Sequence, residues 1–164
     1  TKDRMSLEEV FTDETYTEQW LANAYSYLTN SEFADISITG SNPFNFSDDI
    51  YNPIYKSFKE VTYGEEQWPY TWKYSYQGIR QDAIFIQNVD MCNELTSEER
   101  ADYKAQARFV RAYYYWKLLQ KYGPVPIVPE EGQDYTDSYE ALSIPRNTYD
   151  ECADYIASEM ALMP

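Results

Sequence analysis

The chain has 164 residues, 28 acidic and 13 basic, with a formal net charge of −15 and a pI near 4.2. A surface that negative repels a phosphate backbone, so nucleic acid is excluded as a partner. The absence of histidine removes the commonest general base and the commonest zinc ligand together. Eighteen tyrosines and four tryptophans are a heavy aromatic load of the kind that suits interfaces and wet binding surfaces. No apolar run approaches the roughly 20 residues of a membrane-spanning helix. No signal-peptide pattern opens the sequence, so the chain is expected to begin downstream of any such segment.

In chain order, the first helix is expected from about Glu14 to Leu28. Thr15-Tyr16-Thr17-Glu18 offers a capping box, with Thr12 or Asp13 as the alternative cap. Trp20, Ala24, Tyr27 and Leu28 form its apolar stripe, with Leu21 and Tyr16 alongside. From Ser31 to about Tyr70 the helical period is lost among Gly40, Pro43, Pro53, Gly64 and Pro69. Connections in compact domains run to about 4–6 residues, so a loop of this length points to function. Its phenylalanines and tyrosines argue for packing, with a short helix expected around Pro53 to Phe58. A second helix is expected from Thr71 to Cys92, with Tyr74, Gly78, Phe85 and Val89 on one face. Asn93 to Thr96 then turn the chain into an antiparallel neighbour.

That neighbour, Thr96 to Gly123, organises the rest. Thr96 and Glu99 form a capping box, Lys121 lies near the far end, and Gly123-Pro124 ends the helix. Ala101, Ala105, Ala112, Tyr115, Trp116 and Leu119 share one face; Tyr103, Ala107, Val110, Tyr114 and Leu118 lie opposite. A helix apolar on two sides is covered on two sides. Arg108 and Arg111 are read as buried cations paired with carboxylates of neighbouring elements, not as ligand clamps. Pro124 to Pro129 is extended by its prolines. Thr148-Tyr149-Asp150-Glu151 opens a last helix through Ile156 towards Met163. Cys92 and Cys152 are expected as two thiols near helix ends, since two cysteines make no disulfide framework.

Chemistry-bearing motifs are sparse. There is no Gly-rich phosphate loop, no Cys-x-x-Cys and no Ser-centred elbow. Glu65-Glu66 beside Trp68 is the least poor carboxylate pair for glycoside hydrolysis, and no motif singles it out. Asp48-Asp49 reads as a solvated turn in preference to a calcium site. No catalytic residue, metal or cofactor is expected. The run Trp68-Pro69-Tyr70-Thr71-Trp72 differs, because it stands where the long loop meets a helix. Sugar C–H faces stack on flat aromatic rings, and sugar hydroxyls seek amides and carboxylates. Trp68, Tyr70 and Trp72, with Asn52 and Gln67, are therefore the candidate ligand-binding residues.

Four ordered blocks carry a family resemblance. Ala107-Arg108-Phe109-Val110-Arg111-Ala112-Tyr113-Tyr114-Tyr115-Trp116, then Leu119 and Tyr122-Gly123-Pro124-Val125-Pro126, resembles the signature of the SusD/RagB family. Ser6 to Thr12 resembles the family's start. Tyr76 with Ile79-Arg80 through Phe85-Ile86-Gln87-Asn88-Val89 resembles its second helix, although Ala83 replaces an expected asparagine. Pro145-Arg146-Asn147-Thr148-Tyr149 leading to Leu162-Met163-Pro164 resembles its next helix. The resemblance implies an all-α fold of tetratricopeptide-like helical hairpins in a right-handed α/α superhelix with long loops, although no internal 34-residue repeat is evident. It implies that residues 1–164 form an N-terminal portion of a longer protein, with 31–70 as a long aromatic loop. It also implies non-catalytic binding of an oligosaccharide or glycan at the cell surface. The partner would be a TonB-dependent outer-membrane transporter of SusC-like type, with membrane attachment through an upstream lipid anchor. A protein-interaction scaffold or peptide-uptake protein without sugar affinity is the alternative, and a glycan-degrading enzyme the third.

Overall fold

The structure, a computed structural model, describes residues 5–28, 69–133, 138, 140 and 143–163. Five helices stand among them: α1 (Leu7–Phe11), α2 (Glu14–Tyr25), α3 (Pro69–Asn88), α4 (Ser97–Tyr122) and α5 (Tyr149–Met160). A single 3₁₀ turn, Val89–Met91, follows α3. There is no strand among the described residues. The expected short helix around Pro53 to Phe58 and most of the aromatic loop lie outside them.

Side-chain caps fix four of the five starts. Thr96 Oγ1 accepts from the Glu99 N–H at 3.2 Å, and the Glu99 carboxylate accepts from the Thr96 N–H at 2.8 Å. Thr148 and Glu151 repeat the box at the head of α5. These bonds to the charged form hold the Glu99 and Glu151 carboxyls below the usual range. Ser6 and Glu9 make a further box that opens α1, a helix no expectation covered although the pattern is present. In α2 the cap is Asp13, whose Oδ1 accepts from the Tyr16 N–H at 2.9 Å. Thr15 therefore lies inside the helix and the box expected there does not form. The helix also ends at Tyr25, three residues early, where Leu28 N–H bonds back to the Tyr25 carbonyl. At the far end of α4, Gly123 takes φ 70° and ψ −149°. That is glycine territory for its dihedral alone, since a Cβ there would meet nothing within 4 Å.

Helices α3 and α4 form the expected antiparallel hairpin, with α2 laid across both and α5 on the other flank of α4. In the α3–α4 contact Gly78 faces the ring of Tyr114 with no room for a Cβ. Tyr114 is pinned by its hydroxyl, which donates to the Ala24 carbonyl of α2. Trp20 Nε1 likewise donates to the Gln81 carbonyl at 3.1 Å, tying α2 to α3. Two buried clusters result. One gathers Phe11, Leu21, Phe85, Ile86, Val89 and Ala107; the other gathers Ile79, Val110, Tyr114, Tyr115, Leu118 and Ile156.

Three aromatic assignments need correction. Trp116 is 38% exposed, because α3 and α5 cover the two flanks of α4 and leave the arc between them. Tyr74 and Tyr16 are also exposed, although each was expected on or beside an apolar face. Among the alanines placed on one face of α4, Ala112 is buried and Ala101 is exposed. Cys92 and Cys152 are both buried and free.

Residues 124–129 run as an extended strap whose backbone is bonded by side chains of three helices and the segment before α5. Tyr76 of α3 donates to the Pro126 carbonyl at 2.7 Å. The Val128 N–H donates to Tyr115 Oη at 2.9 Å, and Arg111 Nη2 donates to the Val128 carbonyl at 2.8 Å. Asn147 receives the Ile127 N–H at 2.9 Å and returns its own N–H to the Val125 carbonyl at 3.2 Å. Prolines leave few strap donors, and the aromatic hydroxyls and arginines supply what a sheet neighbour otherwise would. Tyr115→Phe should therefore leave the Val128 N–H unpaired and cost about 1–2 kcal/mol. A lowered urea midpoint with an unchanged denaturant slope is the expected result; an unchanged midpoint would contradict it.

Candidate functional site

Two of the five candidate ligand residues, Tyr70 and Trp72, stand at the start of α3. Asn52, Gln67 and Trp68 lie outside the described residues. Tyr70 sits in the first turn of α3, and Trp72 in the second, half-buried. The Trp72 ring is tilted on Tyr76 with centroids 5.1 Å apart and edge-on to Tyr122 at 5.2 Å. The Arg146 guanidinium lies 5.4 Å from its centroid, in cation–π range, while Arg146 Nη1 donates to the Pro124 carbonyl at 2.6 Å. The Trp72 N–H also donates to Tyr122 Oη at 3.2 Å. Trp72 thus joins the head of α3, the tail of α4 and the segment before α5. What remains open to solvent is an aromatic corner with an exposed guanidinium upon it.

From that corner a stripe runs down α3 at helical spacing through Tyr76, Arg80, Ala83 and Gln87. The strap and the turn after it form the facing wall. Between them lies a cleft of about 290 Å³, floored in part by Arg111. Its walls are apolar at Ile79, Ile84, Val128 and Pro129, and its rim is polar at Gln87, Glu130, Glu131 and Gln133. Burial pushes the Tyr76 hydroxyl above the usual phenol range, so it stays a donor to Pro126 throughout physiological pH. Gly132, at φ 80°, turns the chain at the cleft mouth, its N–H bonded to the Pro129 carbonyl at 3.0 Å.

The two arginines behave differently. Arg108 forms a forked pair with Glu130 at 2.8 and 3.2 Å and reaches Glu159 at 3.3 Å. Burial works against its charge, and these two carboxylates more than restore it. The expected structural pairing is what the structure has. Arg111 is 2% exposed and bonded to the Tyr155 hydroxyl and the Val128 carbonyl, partners that are neutral where a carboxylate was expected. Its Nε has no hydrogen-bond partner, and the nearby Asp82, fully buried, has none on either oxygen. Burial pushes the Asp82 carboxyl up to about 9, against the pull of Arg111. At neutral pH Asp82 is therefore held as the neutral carboxylic acid.

Sequence reasoning missed the cleft. Its α3 wall is legible as a stripe at helical spacing, but the facing wall comes from residues 128–133, more than 40 positions on, with no local pattern to announce it. Among the described residues, no cluster of three or more aspartates, glutamates or cysteines is placed to hold a metal ion. Glu65-Glu66 and Asp48-Asp49 lie outside those residues.

A SusD-like family model described as "Starch-binding associating with outer membrane" matches residues 1–163. A SusD-like protein from Formosa agariphila is 33% identical over 60 residues, which are 37% of this chain and 11% of that protein. A crystal structure of a SusD-like protein from Bacteroides fragilis superposes with a TM-score of 0.76 at 20% identity, covering 97% of this chain and 31% of that one. The surface glycan-binding protein A from Bacteroides uniformis superposes at 0.65, again at 20% identity, over 92% of this chain and 34% of its own. The chain therefore spans about a third of the length of these solved structures. At that identity the likeness speaks for the fold, and it is the expected all-α, tetratricopeptide-like one. Matched by the family model over all but its last residue, the chain belongs to the SusD-like family.

Proposed function

We propose that this chain is part of a non-catalytic protein that binds oligosaccharides or glycans at the bacterial surface. It hands them to a TonB-dependent, SusC-like transporter in the outer membrane, with attachment through a lipid anchor. The observation that carries this reading is the match of residues 1–163 to a family described as starch-binding and associated with the outer membrane. The likeness to a surface glycan-binding protein supports it. The chemistry of the α3 head agrees, because a corner of aromatic rings with a cation upon it suits a ligand with apolar faces and polar edges.

Glycan contact centres on Trp68, Tyr70 and Trp72, with Asn52 and Gln67 supplying hydrogen bonds. Trp72 carries a second duty, since its ring packs on Tyr76 and Tyr122. Alanine variants of the two tryptophans therefore separate binding from folding. Trp68→Ala should weaken glycan binding by about 1–2 kcal/mol, roughly five- to thirtyfold, with little change in melting temperature. Trp72→Ala should weaken binding and also cost about 2 kcal/mol of stability. Calorimetric titration with an oligosaccharide panel and thermal melts of the same full-length variants read both. Unchanged affinity in both variants would remove these rings from the binding site.

A further inference from the structure

The Trp72 and Tyr76 rings pack against one another at a tilt, and Tyr76 lines the cleft between α3, α4 and the strap. The aromatic corner and the cleft therefore follow one another along α3, with Trp72 and Gln87 about 22 Å apart. We propose that the cleft is a second sugar subsite, which takes one or two further pyranose units of the chain held at the aromatic corner. This rests on the glycan-binding reading and deepens it.

The lining suits that chemistry better than a purely apolar or a purely ionic ligand. Ile79, Ile84, Val128 and Pro129 offer flat apolar walls to ring C–H groups. The hydroxyls meet planar polar groups on the rim. Gln87 Nε2 donates to the Glu130 backbone carbonyl, and the exposed amide keeps its carbonyl oxygen and one N–H for a ligand. Glu131 is exposed at the mouth of the same cleft and accepts only. A fatty acyl chain would leave this rim without partners from the ligand.

The cleft is also held in shape before any ligand arrives. Glu130 is fixed by the Arg108 fork and by Gln87, and Gly132 fixes the turn. The strap wall is bonded to Tyr115 and Arg111. A rim whose side chains are already anchored loses little freedom on binding, which favours affinity. The 290 Å³ volume is the scale of one or two sugar rings, not of a long chain, so the aromatic corner must hold the rest.

Chain length is the test. The full-length protein is titrated with oligosaccharides of increasing length cut from one polysaccharide that it binds. Wild-type affinity should climb as units are added beyond those seated at the corner. In Gln87→Ala that climb should shrink by roughly five- to tenfold, the scale of one or two lost hydrogen bonds, while binding of the shortest ligand persists. Glu131→Ala removes an acceptor from the opposite wall and leaves the Gln87 anchor in place, so it decides the matter if Gln87→Ala fails to fold. The same affinities at every length in a folded variant would overturn the subsite while leaving glycan binding intact. A wild-type protein that binds no member of the series would overturn the glycan reading itself, and the subsite with it.

Discussion

Asp82→Asn should melt at a higher temperature than the wild type at pH 7, and the gap should widen as pH rises from 5 to 8. The Asp82 carboxyl is pushed from 3.8 in the unfolded chain to about 9 in the fold, chiefly by burial. Between those values the folded protein binds a proton that the unfolded chain releases, so each step up in pH favours unfolding. The contribution is whole below about pH 4 and is lost as pH rises towards 9. Asparagine has a similar shape and no proton to lose, so it escapes the penalty. At 1.36 kcal/mol per unit, a gain of at least about 2 kcal/mol is expected at pH 7, shrinking to near zero at pH 4. The charged and titratable groups facing Asp82 are Arg111, Tyr114 and Tyr25, and neither tyrosine ionises in this range. Glu99 and Glu151 act with the opposite sign, because their lowered carboxyls lose their caps as pH falls through the acid range. Melts of both proteins from pH 4 to 8 read the difference directly. A variant less stable than wild type at every pH would contradict the account of Asp82.

Gly78→Ala should be destabilising, although alanine is the better helix former. A Cβ at position 78 would sit 2.4 Å from Tyr114 Cε2, well inside contact distance. Tyr114 cannot swing away, being 2% exposed and bonded through its hydroxyl to Ala24. Helices α3 and α4 must then part, at a cost of about 3 kcal/mol or more. The gain in helix propensity offsets about 1 kcal/mol of that. A net loss of about 2 kcal/mol is expected in urea unfolding, and Tyr114→Leu in the same chain should relieve much of it. A Gly78→Ala protein as stable as wild type would show that the hairpin can open there at no cost.

These two positions also mark where sequence reasoning succeeds and fails. The caps at Thr96 and Thr148 are local, three residues wide, and could be read directly; so could the end of α4 at Gly123-Pro124. The α3–α4 hairpin follows from the short turn between two periodic segments. Gly78 was placed on a core face, but nothing local says that it meets Tyr114, 36 positions on. Trp116 was miscast because helical periodicity gives an angle and not a neighbour. Arg111 was read as paired with a carboxylate, yet its partners are a phenol and a strap carbonyl that only the tertiary fold brings near. The aromatic run at 68–72 was legible as a candidate by composition and position, whereas the cleft beside it needed both walls at once.

The central claim is that this SusD-like chain serves a protein that binds glycan without cleaving it. The most direct measurement is calorimetric titration of the full-length protein against a broad oligosaccharide panel, with chromatographic analysis of each mixture after prolonged incubation. Saturable binding to at least one oligosaccharide, recovered at its original length, is the predicted result. Binding to none of the panel, or recovery of shortened products, would contradict it.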